Sequence, residues 1–164
     1  GYQYTDCPLY WISVIYLNFA EAKAEMGSLT QDDLNNSINK LQARAGLPAM
    51  TTTPDADPAN NMGVSNLIWE IRRCRRCELI MDNWYRYWDL IRWHQLDKLD
   101  STKYPNTMLG ANVSNVPDCE EATKNGYIDA SDAQIRTYEA KHYFYPIPTT
   151  QLTLNKNMKQ NPGW

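Results

Sequence analysis

The residues of this chain that could do chemistry are few, and they crowd one stretch. Between Ile71 and Trp93 lie Cys74-x-x-Cys77, the carboxylates Glu78, Asp82 and Asp89, and six arginines; His94 follows at once and His142 stands far downstream. A Cys-x-x-Cys pair can hold zinc or cycle between dithiol and disulfide. This one sits mid-helix between arginine pairs, with no second cysteine pair at zinc spacing, and reads as small, buried, apolar side chains. Whether Cys7 and Cys119 are bridged stays open. His94 and His142 have no partners at ligand spacing, so both read as structural or solvated, and neither a metal nor a cofactor is expected. The three carboxylates could form an acid/base pair, but neighbouring guanidinium groups hold a carboxyl ionised, which is wrong for a general acid. No catalytic residue and no enzyme activity are expected.

What must position these residues is a helix pair. At helical period Leu67, Ile71, Cys74, Glu78 and Met81 share one stripe, and Trp84, Trp88 and Ile91 another beyond a tight break at Asp82-Asn83. Glu70/Arg73, Arg75/Glu78, Arg86/Asp89 and Asp89/Arg92 stand three apart, close enough on a helix to pair. Glu78 falls on the apolar stripe, where a carboxylate is costly unless an arginine fork neutralises it. The expectation is a structural lattice of Arg72, Arg75, Arg76, Glu78, Arg86, Asp89 and Arg92 holding the two helices in register.

Upstream, Pro8 can open a helix at its first turn, and Leu9 to Met26 is helical, closed by Gly27. Thr30 and Asp33 form a variant capping box for a helix that carries Leu34, Ile38, Leu41 and Ala45 and stops at Gly46 before Pro48. Residues 8 to 45 are therefore a helical hairpin of tetratricopeptide-like length. Such a hairpin cannot bury both faces alone, and must dock on the pair at 64 to 94, on hairpins outside this chain, or on both. Residues 48 to 63 are a surface loop. Asp100 to Lys141 is rich in Asn, Asp, Ser, Thr and Gly, predicting irregular structure with one strand or short helix; long loops of that kind are often functional. Tyr104, Tyr127 and Tyr138 are the candidate ligand contacts there, the alternative for each being a ring pinned in its loop. In the final segment Tyr145-Pro146-Ile147-Pro148 is extended, Thr149 to Leu152 turns, and Gln160-Asn161-Pro162-Gly163-Trp164 closes a tail pinned back on the body.

The chain has 164 residues, which points to a single domain over 1 to 164 able to bury roughly 70% of its unfolded surface. Net charge is -3, and six arginines are spent in the central stretch, so no free basic face is left for nucleic acid. Eleven Tyr and six Trp stand against two Phe. Rings with a polar handle suit half-exposed surfaces, either stacking on sugar faces or rimming a core. No run is long enough to span a membrane, and no leader opens the chain, which starts at Gly1 without Met. An export signal or lipid anchor upstream therefore stays open.

Six segments, in order, resemble the C-terminal region of the SusD/RagB family. They are Leu17-Asn18-Phe19-Ala20-Glu21-Ala22; Asp33-Leu34 through Ile38-Asn39 to Arg44-Ala45-Gly46-Leu47-Pro48; Ile71-Arg72-Arg73-x-Arg75-Arg76-x-Glu78-Leu79; Arg86-Tyr87-Trp88-Asp89-Leu90-x-Arg92-Trp93; Tyr145-Pro146-Ile147-Pro148; and the closing Gln160 to Trp164. The chain departs from the family at Cys74, where an acidic residue is expected, and at Asp82-Asn83 in place of Glu-Gly, with one extra residue before Arg86. The resemblance implies a mostly α protein: a tetratricopeptide-like hairpin packed on a second helix pair, with long irregular loops and an extended C-terminal strap. It implies the C-terminal segment of a larger lipoprotein, lipid-anchored on the outward face of the outer membrane of a Bacteroidetes-type bacterium. That protein would bind oligosaccharides or other nutrients and deliver them to a SusC-like TonB-dependent transporter. The reading from a different class is a helical-repeat protein-interaction module without sugar binding, which the hairpin alone would suit. A glycoside hydrolase would need two facing carboxylates about 5 to 9.5 Å apart.

Overall fold

The computed structural model describes residues 10–82, 85–117, 123–131 and 134–164. The expected opening at Pro8 and Leu9, the break residue Asn83, the stripe position Trp84, and Cys7 and Cys119 lie outside them. The chain divides into two compact units, Gly1–Arg86 and Tyr87–Trp164. Among the described residues the architecture is mostly helical with one small sheet.

In the first unit, α1 (Ile12–Glu25) ends where Gly27 turns to φ +66. The Ser28 N–H then donates to the Lys23 carbonyl and the Gly27 N–H to that of Ala24, satisfying carbonyls the helix leaves open. The capping box is formed: the Asp33 N–H donates to Thr30 Oγ1 and the Thr30 N–H to Asp33 Oδ2. The single helix expected to follow is instead two, α2 (Gln31–Asn35) and α3 (Ile38–Arg44). Ser37 Oγ donates to the Asp33 carbonyl at 2.6 Å and Asn36 Nδ2 to that of Asp32 at 3.0 Å. Such side-chain bonds compete with the helical ladder, and Ser37 leaves helical backbone at φ -133, ψ -99. The apolar spacing survives the break, and Leu34, Ile38 and Leu41 all enter the core.

That core is closed by Val14, Leu17 and Ala20 of α1, by Met50, and by Ile71 and Leu79. Met50 is clamped there because the Asn39 amide bonds both its N–H and its carbonyl. The helix α4 (Asn66–Glu78), capped by Ser65 Oγ, packs on α1 and α3. It turns Ile68, Ile71, Arg72 and Arg75 inward. The expected stripe ends before Met81, which lies past the end of α4 at φ +61, fully exposed. The helix α5 (Tyr85–Arg92) starts a new phase, burying Asp89 and Leu90 and leaving Trp88 exposed where the stripe had placed it inward. A helix takes its inward face from what it packs against, and apolar spacing alone picked the wrong face of α5.

In the second unit, His94 at φ +52 closes α5, with the Gln95 N–H donating to the Leu90 carbonyl. The segment expected to hold one strand or short helix carries, among its described residues, three strands, β1 (Leu109–Asn112), β2 (Thr123–Lys124) and β3 (Tyr127–Asp129), antiparallel in the order β1-β3-β2. The hairpin signal was present in Lys124-Asn125-Gly126-Tyr127: Asn125 at φ +53 and Gly126 at φ +77 make the two-residue turn that Asn-Gly favours. After the extended run through Pro148, Thr149–Leu154 is a short helix, α6, rather than a turn.

The tail is pinned back as a strap. Gln160 bonds both the N–H and the carbonyl of Ile147, Asn161 Nδ2 donates to the Tyr145 carbonyl, and the Trp164 indole donates to the carbonyls of Lys141 and Phe144. Gly163 permits this at φ +87, where a Cβ would stand 2.9 Å from Lys141 Cβ. Gly163→Ala is therefore expected to loosen the strap, seen as faster hydrogen exchange of the Trp164 indole N–H. An unchanged exchange rate would show that Trp164 does not depend on that turn.

Candidate functional site

The arginines of the central stretch reach out to other helices as well as along their own. Asn18, Glu21 and Glu25 line one side of α1, and α4 meets them with Arg72 and Arg75. Arg72 Nη2 donates to Glu25 Oε1 at 3.1 Å, and its Nε lies 3.6 Å from Glu21 Oε1. Arg75 Nη1 donates to Asn18 Oδ1 at 2.8 Å, with its guanidinium 5.8 Å from the centre of the Tyr85 ring. Glu21, Arg72 and Arg75 are 4%, 8% and 4% exposed. Arg44 on α3 holds both oxygens of Glu78, and Arg73 forks onto Glu70 as the spacing predicts. Arg92 Nε donates to buried Asp89 at 2.9 Å, also as predicted. Arg86 lies half-buried on α5, and Arg76 is exposed, with no ion pair among the described residues. Sequence reasoning missed Glu21, Glu25, Asn18 and Arg44. The available signal was Glu21, a carboxylate one turn from Leu17 and Ala24 on the apolar side of α1.

Cavities open in the first unit among its described residues. One of about 550 Å³ lies between the loop after Gly46 and α4, lined by Gln42, Thr51, Thr53, Asp55, Glu70 and Arg73 among others; no aromatic ring borders it. Another, about 170 Å³, holds Cys74 and Cys77 beside Glu78. Burial first, and the charge of Glu70 next, push the Cys74 thiol up to about 12, so it stays protonated and inert. Among the described residues no three His, Cys, Asp or Glu side chains are grouped to hold a metal, and no helix is long and apolar enough to cross a membrane.

In the second unit one carboxylate organises the loops. Asp100, 4% exposed, accepts the N–H and hydroxyl of Thr102 on Oδ1 and the Tyr138 N–H on Oδ2, while its carbonyl accepts the Tyr104 N–H. Two of the three expected ligand tyrosines are thus drawn to one residue, but both rings are engaged. Lys98 Nζ donates to the Tyr104 hydroxyl at 2.7 Å. Tyr138 sits edge-on to Tyr143 and against His142, and burial with the Tyr143 hydrogen bond pushes its phenol up to about 12. Tyr127 lies apart on β3 and is partly exposed.

The Thr102 hydroxyl, then the Tyr138 N–H, hold the Asp100 carboxyl down at about 2. A depressed carboxyl stabilises the fold above its unfolded pKa of about 3.9, and that contribution fades as pH falls toward 2. Asp100→Asn is expected to lower the melting temperature at pH 7 and to narrow the gap from the parent as pH falls from 4 toward 2, read by circular dichroism. A gap that stays constant on acidification would remove Asp100 as the anchor.

The exposed rings are elsewhere. Trp88 and Tyr145 are 52% and 68% exposed, and Phe144 is exposed beside Tyr145. Tyr87 stands edge-on to Trp88 with ring centres 5.5 Å apart, and its hydroxyl bonds that of Tyr145, which raises the Tyr87 pKa. Rings linked through paired hydroxyls at the surface offer apolar faces with hydrogen-bonding edges, the combination that grips a sugar. Sequence reasoning passed over them because Trp88 lies on an apparent apolar stripe, Tyr87 beside it, and Tyr145 within a strap.

Comparison with known proteins adds the following. The model of the SusD family matches residues 1–164. A crystal structure of a SusD-like protein from Bacteroides fragilis is similar at TM-score 0.59 and 25% identity, over 93% of this chain and 25% of that one. This chain therefore spans about a quarter of the length of that solved relative. No curated protein matches.

Proposed function

The chain belongs to the SusD family, and from that we propose that it forms part of a cell-surface receptor that captures oligosaccharides and passes them to a SusC-like TonB-dependent transporter. The receptor is passive and lipid-anchored on the outward face of the outer membrane. Its affinity comes from ring stacking and a few hydrogen bonds. The observation that carries the ligand side of this reading is the exposure of Trp88 and Tyr145, the first edge-on to half-buried Tyr87 and the second hydrogen-bonded to it. The acids of the central stretch fit the passive role, since Glu78 and Asp89 are each neutralised by an arginine.

Calorimetry of the full-length protein against a panel of oligosaccharides tests this. Trp88→Ala and Tyr145→Ala are each expected to weaken binding about tenfold, the loss of one stacked ring. Unchanged affinity in both variants would put the sugar elsewhere on the protein. Cleavage of any panel member would replace capture by hydrolysis. Copurification of the protein with a large β-barrel transporter tests the delivery step.

A further inference from the structure

The cavity between the loop after Gly46 and α4 has no part in the reading above. At about 550 Å³ it falls in the size range of pockets that take small ligands. Its loop wall is held at both ends. The Asn39 amide and Gln31 Nε2 fix the backbone of Met50, and the Trp69 indole on α4 donates to Asp57 Oδ2 at 3.0 Å. Thr51, Thr53 and Asp55 stand between those anchors, so the cavity is shaped before any ligand enters.

The polar groups that line it are mostly unengaged. Among the described residues the side chains of Thr51, Thr53 and Asp55 make no hydrogen bond, and Gln42 uses only its Nε2, on Cys74 Sγ. Arg73 forks onto Glu70 through Nε and Nη2, which leaves Nη1 to donate and the outer lone pairs of Glu70 to accept. Leu47, Pro48 and Pro54 complete the lining with apolar surface. Donors and acceptors set among apolar patches match a ring with hydroxyls on its edge and C–H groups on its faces. Two carboxylates against one guanidinium make the lining net negative, so a ring that carries its own carboxylate is repelled.

We propose that this cavity is a second ligand site, which takes a neutral sugar through hydrogen bonds to Asp55, Arg73, Glu70 and the two threonines rather than by ring stacking. It is separate from the exposed rings of Trp88 and Tyr145, which belong to the other unit, and it stands or falls independently of them.

Methyl NMR of the full-length protein, isotope-labelled at its threonine methyls, tests it, with glucose, galactose, mannose, xylose, maltose, cellobiose and galacturonic acid as probes. The Thr51 and Thr53 signals, identified through Thr51→Ser and Thr53→Ser, are expected to shift saturably with at least one of the neutral sugars. Asp55→Ala is expected to weaken that binding about tenfold or more, the loss of a hydrogen bond to a charged group. Asp55 is exposed and holds nothing else among the described residues, so its removal leaves the fold intact. Galacturonic acid is expected to bind at least about tenfold more weakly than the neutral sugar that shifts these signals. No saturable shift with any neutral sugar, an unchanged response in Asp55→Ala, or an equal response to galacturonic acid would each overturn the proposal.

Discussion

Arg72→Ala is expected to lower the unfolding free energy by about 3–5 kcal/mol, the usual loss when one partner of a buried ion pair is removed. Arg72 ties α4 to α1 by charge, with Glu21 3.6 Å and Glu25 3.1 Å away. Glu25 is half-exposed and can return to water, but Glu21, at 4% exposure, would keep its charge with little hydration. The cost therefore comes mostly from the carboxylate left behind. If so, Arg72→Met combined with Glu21→Leu should recover most of the stability, because the pair would be replaced by apolar groups of similar size. Urea unfolding measures both variants. A double variant no more stable than the single would mean that the arginine acts through something other than this pairing. The exposed Arg76 offers the contrast, and Arg76→Ala is expected to stay within about 0.5 kcal/mol of the parent. Charge pattern alone would give Arg72 and Arg76 equal weight; burial separates them.

The second large effect is expected one residue earlier. Ile71 is fully buried on α4, against Leu17, Leu34 and Leu41 in the same cluster. Ile71→Ala removes packing and leaves a cavity that helices on several sides cannot close, at a cost of about 2–5 kcal/mol. Ile80, past the end of α4 and largely exposed, is the matched control, and Ile80→Ala is expected to change stability by less than about 0.5 kcal/mol. Equal losses at the two positions would mean that the cluster around Ile71 is not the core of this unit.

Glu78 illustrates how a correct local inference can still name the wrong partner. Its place on an apolar stripe required a guanidinium, and it has one, but from Arg44 on α3. Spacing of three or four residues names only partners on the same helix, which is why Arg73 and Arg92 were assigned correctly and Arg44 was not. The candidate ligand tyrosines show the same limit. Loop composition located Tyr104 and Tyr138, but their engagement by Lys98 and Tyr143 depends on where distant segments come to lie. The exposed rings of Trp88 and Tyr145 emerged only when the phase of α5 and the path of the strap were known.

The sequence by itself determined several of the helix ends and the course of the strap. The glycine stops at Gly27 and Gly46, the Thr30 cap and the extended proline strap rest on backbone preferences and bonds within a few residues. Those forces act wherever the chain goes. Tertiary structure decided which arginine is buried, which acid it meets, which face of α5 turns inward and which tyrosines stay free. Each of these is fixed by residues far apart in sequence competing for the same buried space, and no local period encodes the outcome of that competition.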